Sequence, residues 1–158
     1  MLNGQPISCI QRPETGRELT FGHLSPASEK KKILVIGGGP AGMKATAVAA
    51  SRGHSVKLIE ATSKLGGQVN LAERLPGRSE FGGIKTNLEN MLRTQDVEIK
   101  LNTEASLQLI REEAPEVIIL ATGGKSFEPK IEGKDSAHVV TAWQLSLIHI
   151  SEPTRPLG

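Results

Sequence analysis

The chain has 158 residues, a length suited to one domain, and its 19 Lys and Arg against 17 Asp and Glu leave a net charge of +2. So even a balance, with no basic stripe and three Phe, one Trp and no Tyr, argues against a nucleic-acid partner. No apolar run approaches the roughly 20 residues of a membrane span, and the opening "MLNGQPISCIQRPETG" lacks the basic start and apolar stretch of a signal peptide.

Residues 1–30 mix Pro, Gly, Ser and charge without a sustained period and predict an extended linker. Its one cysteine, Cys9, has no partner for an internal disulfide, which fits a reducing compartment; a cytoplasmic location and no membrane partner are expected. "ILVI", Ile33 to Ile36, is a short β-branched run and predicts a strand buried on both faces. "AGMKATAVAASRG" predicts an Ala-rich helix stopped at Gly53. "SVKLIE", Ser55 to Glu60, alternates as a second strand does.

A long loop with two glycine pairs follows, Gly66-Gly67 and Gly82-Gly83. In "IKTNLENMLRT" the spacing of Ile84, Leu88, Met91 and Leu92 predicts a helix with one face packed on a sheet. "VEIKL" is a third strand, "SLQLIREEA" a short helix, and "EVIILATGG" a fourth strand running into another glycine pair. Strands alternating with helices at this interval predict an α/β, Rossmann-like βαβ dinucleotide-binding domain with a mostly parallel sheet.

Gly37, Gly39 and Gly42 form G-x-G-x-x-G between the first strand and the first helix. In that pattern Gly37 turns the chain off the strand, Gly39 lets backbone approach a pyrophosphate, and Gly42 brings the helix close to the sheet. The helix start offers free N–H groups to phosphate, and Pro40, followed by Ala41, fits its first turn. Glu60, at the end of the second strand, can accept hydrogen bonds from the hydroxyls of an adenosine ribose and would repel a 2′-phosphate, which disfavours NADP at this site.

Which dinucleotide binds stays open on these residues. Gly66-Gly67 is either a plain turn or a second side-chain-free stretch returned to the crevice for a longer ligand such as FAD. Gln68 and Asn70 are either loop polarity or groups that reach a flavin. "LATGG", with Ala121, Thr122 and Gly123, leaves its strand at the same crevice, and alone is equally a turn. Arg74 and Arg78 suit phosphates as well as solvent. His54, after the Gly53 helix stop, reads as a solvent-facing turn residue more than a base, and His23 and His138 have no second ligand at metal spacing.

The stretch from Ile33 to Gly83, with "GGQ", "PGR-EF" and the later "LATG", closely resembles the FAD-binding segment of the NADH:flavin oxidoreductase / 2,4-dienoyl-CoA reductase / trimethylamine dehydrogenase family. The resemblance covers about Pro6 to Gln144. It implies that FAD meets Gly37, Gly39, Pro40, Ala41, Gly42 and Glu60, then Gly66, Gly67 and Gln68, then Ala121, Thr122 and Gly123. It also implies a longer protein, with FMN on a (β/α)₈ barrel, a 4Fe-4S cluster and a domain for NAD(P)H. "SCIQRPETGRE" resembles the end of the family's cluster segment, so the resemblance makes Cys9 the fourth cluster ligand, although Arg12 stands where Asn is common. It assigns no catalytic residue here.

The implied organisation is a linker over 1–30, an incomplete FAD-binding domain over 31–144 and a non-native tail over 145–158, because "LSLIHISEPTR" resembles an in-frame translation of a sequencing adapter. The implied partners are FAD or ADP and the barrel and NAD(P)-binding domains of the same polypeptide. A non-catalytic ADP-binding module is the alternative function.

Overall fold

The computed structural model describes residues 7–125, 127 and 129–141; the tail over 145–158 lies outside them. Strands β1 (Lys32–Ile36), β2 (Ser55–Ile59), β3 (Val97–Lys100) and β4 (Val117–Leu120) form one parallel sheet in the order β3-β2-β1-β4. β1 lies inside the sheet, and Ile33, Leu34, Val35 and Ile36 are all buried. A strand covered on both faces needs such an unbroken apolar run.

Helix α2 (Pro40–Ser51) begins at Gly39, whose extended backbone makes the N-cap, and Pro40 takes the first helical position. It stops as expected: Arg52 is the C-cap and Gly53 follows at φ +93°, where a side chain is disfavoured. Ile33, Val35, Val56 and Leu58 share one core with Met43 and Ala47 of α2 and with Leu88 and Leu92 of α4 (Gly82–Arg93). α4 lies chiefly against α2, so the helix expected to rest on the sheet reaches its core beside another helix. The opposite sheet face holds Leu34, Ile36 and Ile59 under α5 (Leu107–Glu113), whose N-cap Ser106 accepts a hydrogen bond from the Leu109 N–H.

On this second face the Lys57 ammonium meets both Glu113 carboxylate oxygens at 2.6 Å and a Glu98 oxygen at 3.0 Å. Beyond α5, Ile118 and Leu120 of β4 stand 41% and 74% exposed.

The segment read as an extended linker carries a one-turn helix, α1 (Glu18–Phe21), and is tied to the domain. Glu14 pairs with Lys44 at 2.9 Å, the Ala27 N–H donates to the Arg52 carbonyl at 2.8 Å, and Asn87 Nδ2 donates to the Gln11 carbonyl at 3.4 Å. α1 is too short to show a period. Local contacts make it: the Gly16 N–H donates to Glu18 Oε1, and the Arg17 guanidinium lies 5.7 Å from the Phe21 ring centre. Likewise, the long loop after β2 contains α3 (Val69–Ala72) and a 3₁₀ turn over Ser79–Phe81.

Candidate dinucleotide site

Register builds the crevice. Ile36 pairs with Ile59 on one side and Leu120 on the other, so Gly37, Glu60 and Ala121 leave the sheet at one level. The ladder runs one residue further, with the Gly37 N–H on the Ile59 carbonyl at 2.9 Å and the Ala121 N–H on the Ile36 carbonyl at 2.8 Å. Such a carboxyl end of a parallel sheet is where open α/β folds bind ligands.

Three glycines do three different jobs there. Gly37 has φ +109°, and a Cβ on it would collide with the Ala121 carbonyl. A Cβ on Gly42 would collide with the Gly37 carbonyl and stand 3.3 Å from Ala121 Cβ. These two are demanded by the protein's own packing. Gly39 is different: a Cβ there would meet nothing within 4 Å and would project into open space at the helix start. Ala41 and Gly42 lie in the first turn, where N–H groups have no partner inside the helix, and Pro40 has none to leave unpaired. The positive end of the twelve-residue helix faces the same space.

The second glycine pair closes on the first. The Gly66 N–H donates to the Gly38 carbonyl at 2.9 Å, and a Cβ on Gly67 would lie 3.1 Å from Gly39 Cα. Gly66 and Gly67 have φ +110° and +52°. Gln68 extends from this bend and donates through Nε2 to the Gly124 carbonyl at 3.0 Å, joining it to the stretch holding Thr122 and Gly123. The glycine-bearing segments after β1, β2 and β4 thus converge.

Glu60 is held by that convergence. Its Oε2 accepts from the Gly38 N–H at 2.6 Å, and its Oε1 accepts from the Thr62 N–H and hydroxyl, both at 2.8 Å. Burial alone would raise its pKa, but the hydrogen bonds from Thr62 and Gly38 outweigh burial and hold the carboxyl below its usual range. A carboxylate has about four acceptor positions, and three are taken. The Thr62 hydroxyl has an alternative acceptor, the Lys64 carbonyl at 3.0 Å, so turning it frees a second position on Glu60.

The remaining candidates fall elsewhere. Asn70 is buried behind the Gly66–Gly67 bend. Arg78 lies over the Phe81 ring, 5.6 Å from its centre. His54 Nδ1 accepts from the Lys31 N–H at 3.2 Å. Cys9 is an exposed free thiol, and among the described residues no group of three or more His, Cys, Asp or Glu is placed to hold a metal. Two contributors escaped the sequence reading. Gly38 occupies a variable position of the G-x-G-x-x-G pattern, although the unbroken Gly37-Gly38-Gly39 run marks it, and Thr62 carries no motif at all.

A model of the pyridine nucleotide-disulphide oxidoreductase family matches residues 31–147. The chain belongs to that family. Its relatives lie in the NADH:flavin oxidoreductase / 2,4-dienoyl-CoA reductase / trimethylamine dehydrogenase group that the motifs resemble. A bilirubin reductase of Mediterraneibacter gnavus is 38% identical over 143 residues, spanning 90% of this chain and 22% of that protein. An NADH oxidase of Thermoanaerobacter brockii is 38% identical over 141 residues, 88% of this chain and 22% of that protein. The solved 2-naphthoyl-CoA reductase complex superposes with a TM-score of 0.81 at 36% identity, covering 89% of this chain and 21% of that one. The chain thus spans about a fifth of the length of the curated relatives it matches.

Proposed function

We propose that this chain cradles the ADP half of FAD in a flavin- and iron–sulfur-dependent NAD(P)H oxidoreductase of the enoate or 2,4-dienoyl-CoA reductase kind. The observation that carries the proposal is the open space over Gly39, bounded by the α2 start, by Gly67 and by the anchored Glu60 carboxylate. A dinucleotide fits these groups: Cβ-free backbone and first-turn N–H groups suit the diphosphate, and Glu60 suits the ribose. Gly66, Gly67 and Gln68 extend the cradle towards Ala121, Thr122 and Gly123, along the longer FAD molecule. When bound, FAD supplies reversible acceptance of hydride and single electrons. This chain's residues bind and orient it.

Support for the redox role comes from the family match and from relatives whose names are reductases and an NADH oxidase. NAD(P)H, FMN and the 4Fe-4S cluster belong to the proposal for the longer protein. The cluster does not fit the described residues alone, since four thiolates are needed and Cys9 is the chain's single cysteine. In the longer protein Cys9 supplies the fourth.

The test is to heat-release whatever the purified protein carries and identify it by chromatography and absorbance, then to titrate the emptied protein with FAD, ADP and NADP⁺. FAD is the expected ligand, with NADP⁺ weakest. ADP alone, with no uptake of FAD, would establish the non-catalytic module, and binding of none of them would refute the site.

A further inference from the structure

One peptide group holds two distant glycine stretches together. The unit joining Leu65 to Gly66 is gripped at both ends: its N–H donates to the Gly38 carbonyl, and its own carbonyl accepts from Asn70 Nδ2, each at 2.9 Å. Asn70 is 7% exposed, so water does not compete for this bond. Its backbone N–H donates to the Gly67 carbonyl at 3.2 Å, placing the side chain directly beneath the bend. The amide also fills the space a side chain at residue 66 would take: a Cβ there would stand 2.7 Å from Oδ1 and 2.8 Å from Nδ2. Asn70 Oδ1 meets no donor among the described residues, yet turning the amide over would set that oxygen against the Leu65 carbonyl. The donor end is therefore committed to Leu65.

We propose that Asn70 is a positioning residue of the cofactor cradle. Its carboxamide fixes the 65–66 peptide so that Gly67 docks beside Gly39 and Gln68 reaches Gly124, and it acts from behind the bend without touching the ligand. The effect on affinity rests on the FAD reading above; the clamp itself rests on geometry. The site requires an uncharged donor of this length. An ionised carboxylate at position 70 offers the Leu65 carbonyl only acceptors, whereas a protonated carboxyl has an O–H that replaces the amide donor. Burial favours that neutral form and brings it within reach of mild acid.

The experiment compares the full wild-type chain with Asn70→Ala and Asn70→Asp. Hydrogen exchange at the Gly66 amide, corrected for intrinsic rates, and FAD titration by flavin fluorescence are measured at about pH 7.5 and about pH 5. At the higher pH both variants are expected to lose Gly66 protection while β1 and β2 stay protected, with FAD bound about tenfold more weakly, as one lost buried hydrogen bond implies. At the lower pH Asn70→Asp, but not Asn70→Ala, regains protection and affinity relative to wild type. Should Asn70→Ala lose protection throughout, the acid recovery of Asn70→Asp decides. Unchanged Gly66 protection, no acid recovery, or wild-type affinity in a variant with Gly66 deprotected overturns the proposal. If wild type takes up no FAD, the cofactor reading falls, and the exchange data still decide the clamp.

Discussion

A single methyl group added at Gly39 or at Gly42 is expected to have opposite consequences. At Gly42 the new Cβ collides with the Gly37 carbonyl, and both the carbonyl and the helix backbone are fixed, so no rotamer change relieves the contact. Overpacking of this kind costs about 1–3 kcal/mol. Because two backbone segments must separate, we expect the upper end, a fall in Tm of about 10 °C for a domain of this size. At Gly39 the methyl meets nothing within 4 Å, and φ −71° with an extended ψ suits any L-residue. The lower entropy of the unfolded chain and the poorer N-cap nearly offset, leaving stability within about 1 kcal/mol of wild type. The same methyl occupies the space assigned to the diphosphate. Loss of one charge-assisted hydrogen bond there weakens FAD by about ten- to a hundredfold. Thermal unfolding by circular dichroism and FAD titration by fluorescence read the two effects separately. A Gly39→Ala protein that binds FAD as wild type does would refute the cradle. An unchanged Tm in Gly42→Ala would refute the packing argument.

Replacing Glu60 by Gln leaves one acceptor oxygen for two backbone donors, so the new NH₂ group faces either the Gly38 or the Thr62 N–H; lower stability and at least about tenfold weaker FAD binding are expected, read by the same assays. Because the folded pKa of Glu60 is lowered, its stabilisation is fully present above the ordinary value of 4.5 and is lost as pH falls through the folded value, so the Tm values of wild type and Glu60→Gln should converge only below pH 4.5. Glu113, lowered chiefly by the hydrogen bond from Lys57, follows the same sign: Glu113→Gln lowers Tm at neutral pH, and the difference should vanish in acid. Lys57, raised chiefly by Glu113, holds its contribution below the ordinary 10.5 and loses it only as pH rises through its higher folded value; a Tm profile of Lys57→Met against wild type checks this. Leu58→Ala, at a fully buried core position, should cost about 2–5 kcal/mol in urea unfolding.

Much of this molecule follows from local pattern. The apolar run Ile33–Ile36, the Ala-rich stretch ended by Gly53 and the spacing of Leu88 and Leu92 each commit a few neighbouring residues to one element, because burial and backbone conformation act at short range there. The G-x-G-x-x-G run and Glu60 are equally local, and they point to the crevice before any coordinate is known. Other features depend on residues distant in the chain. That Gly38 donates to Glu60, that the Gly66 N–H reaches the Gly38 carbonyl and that Gln68 reaches the Gly124 carbonyl all arise from β1, β2 and β4 ending in register. The anchoring of residues 7–27 has the same origin, in a few contacts across the chain such as Glu14 with Lys44 and Ala27 with Arg52, too few to leave a period in the sequence. Composition and spacing name the groups available to a fold. Which hydrogen bond each group makes depends on which distant backbone arrives beside it.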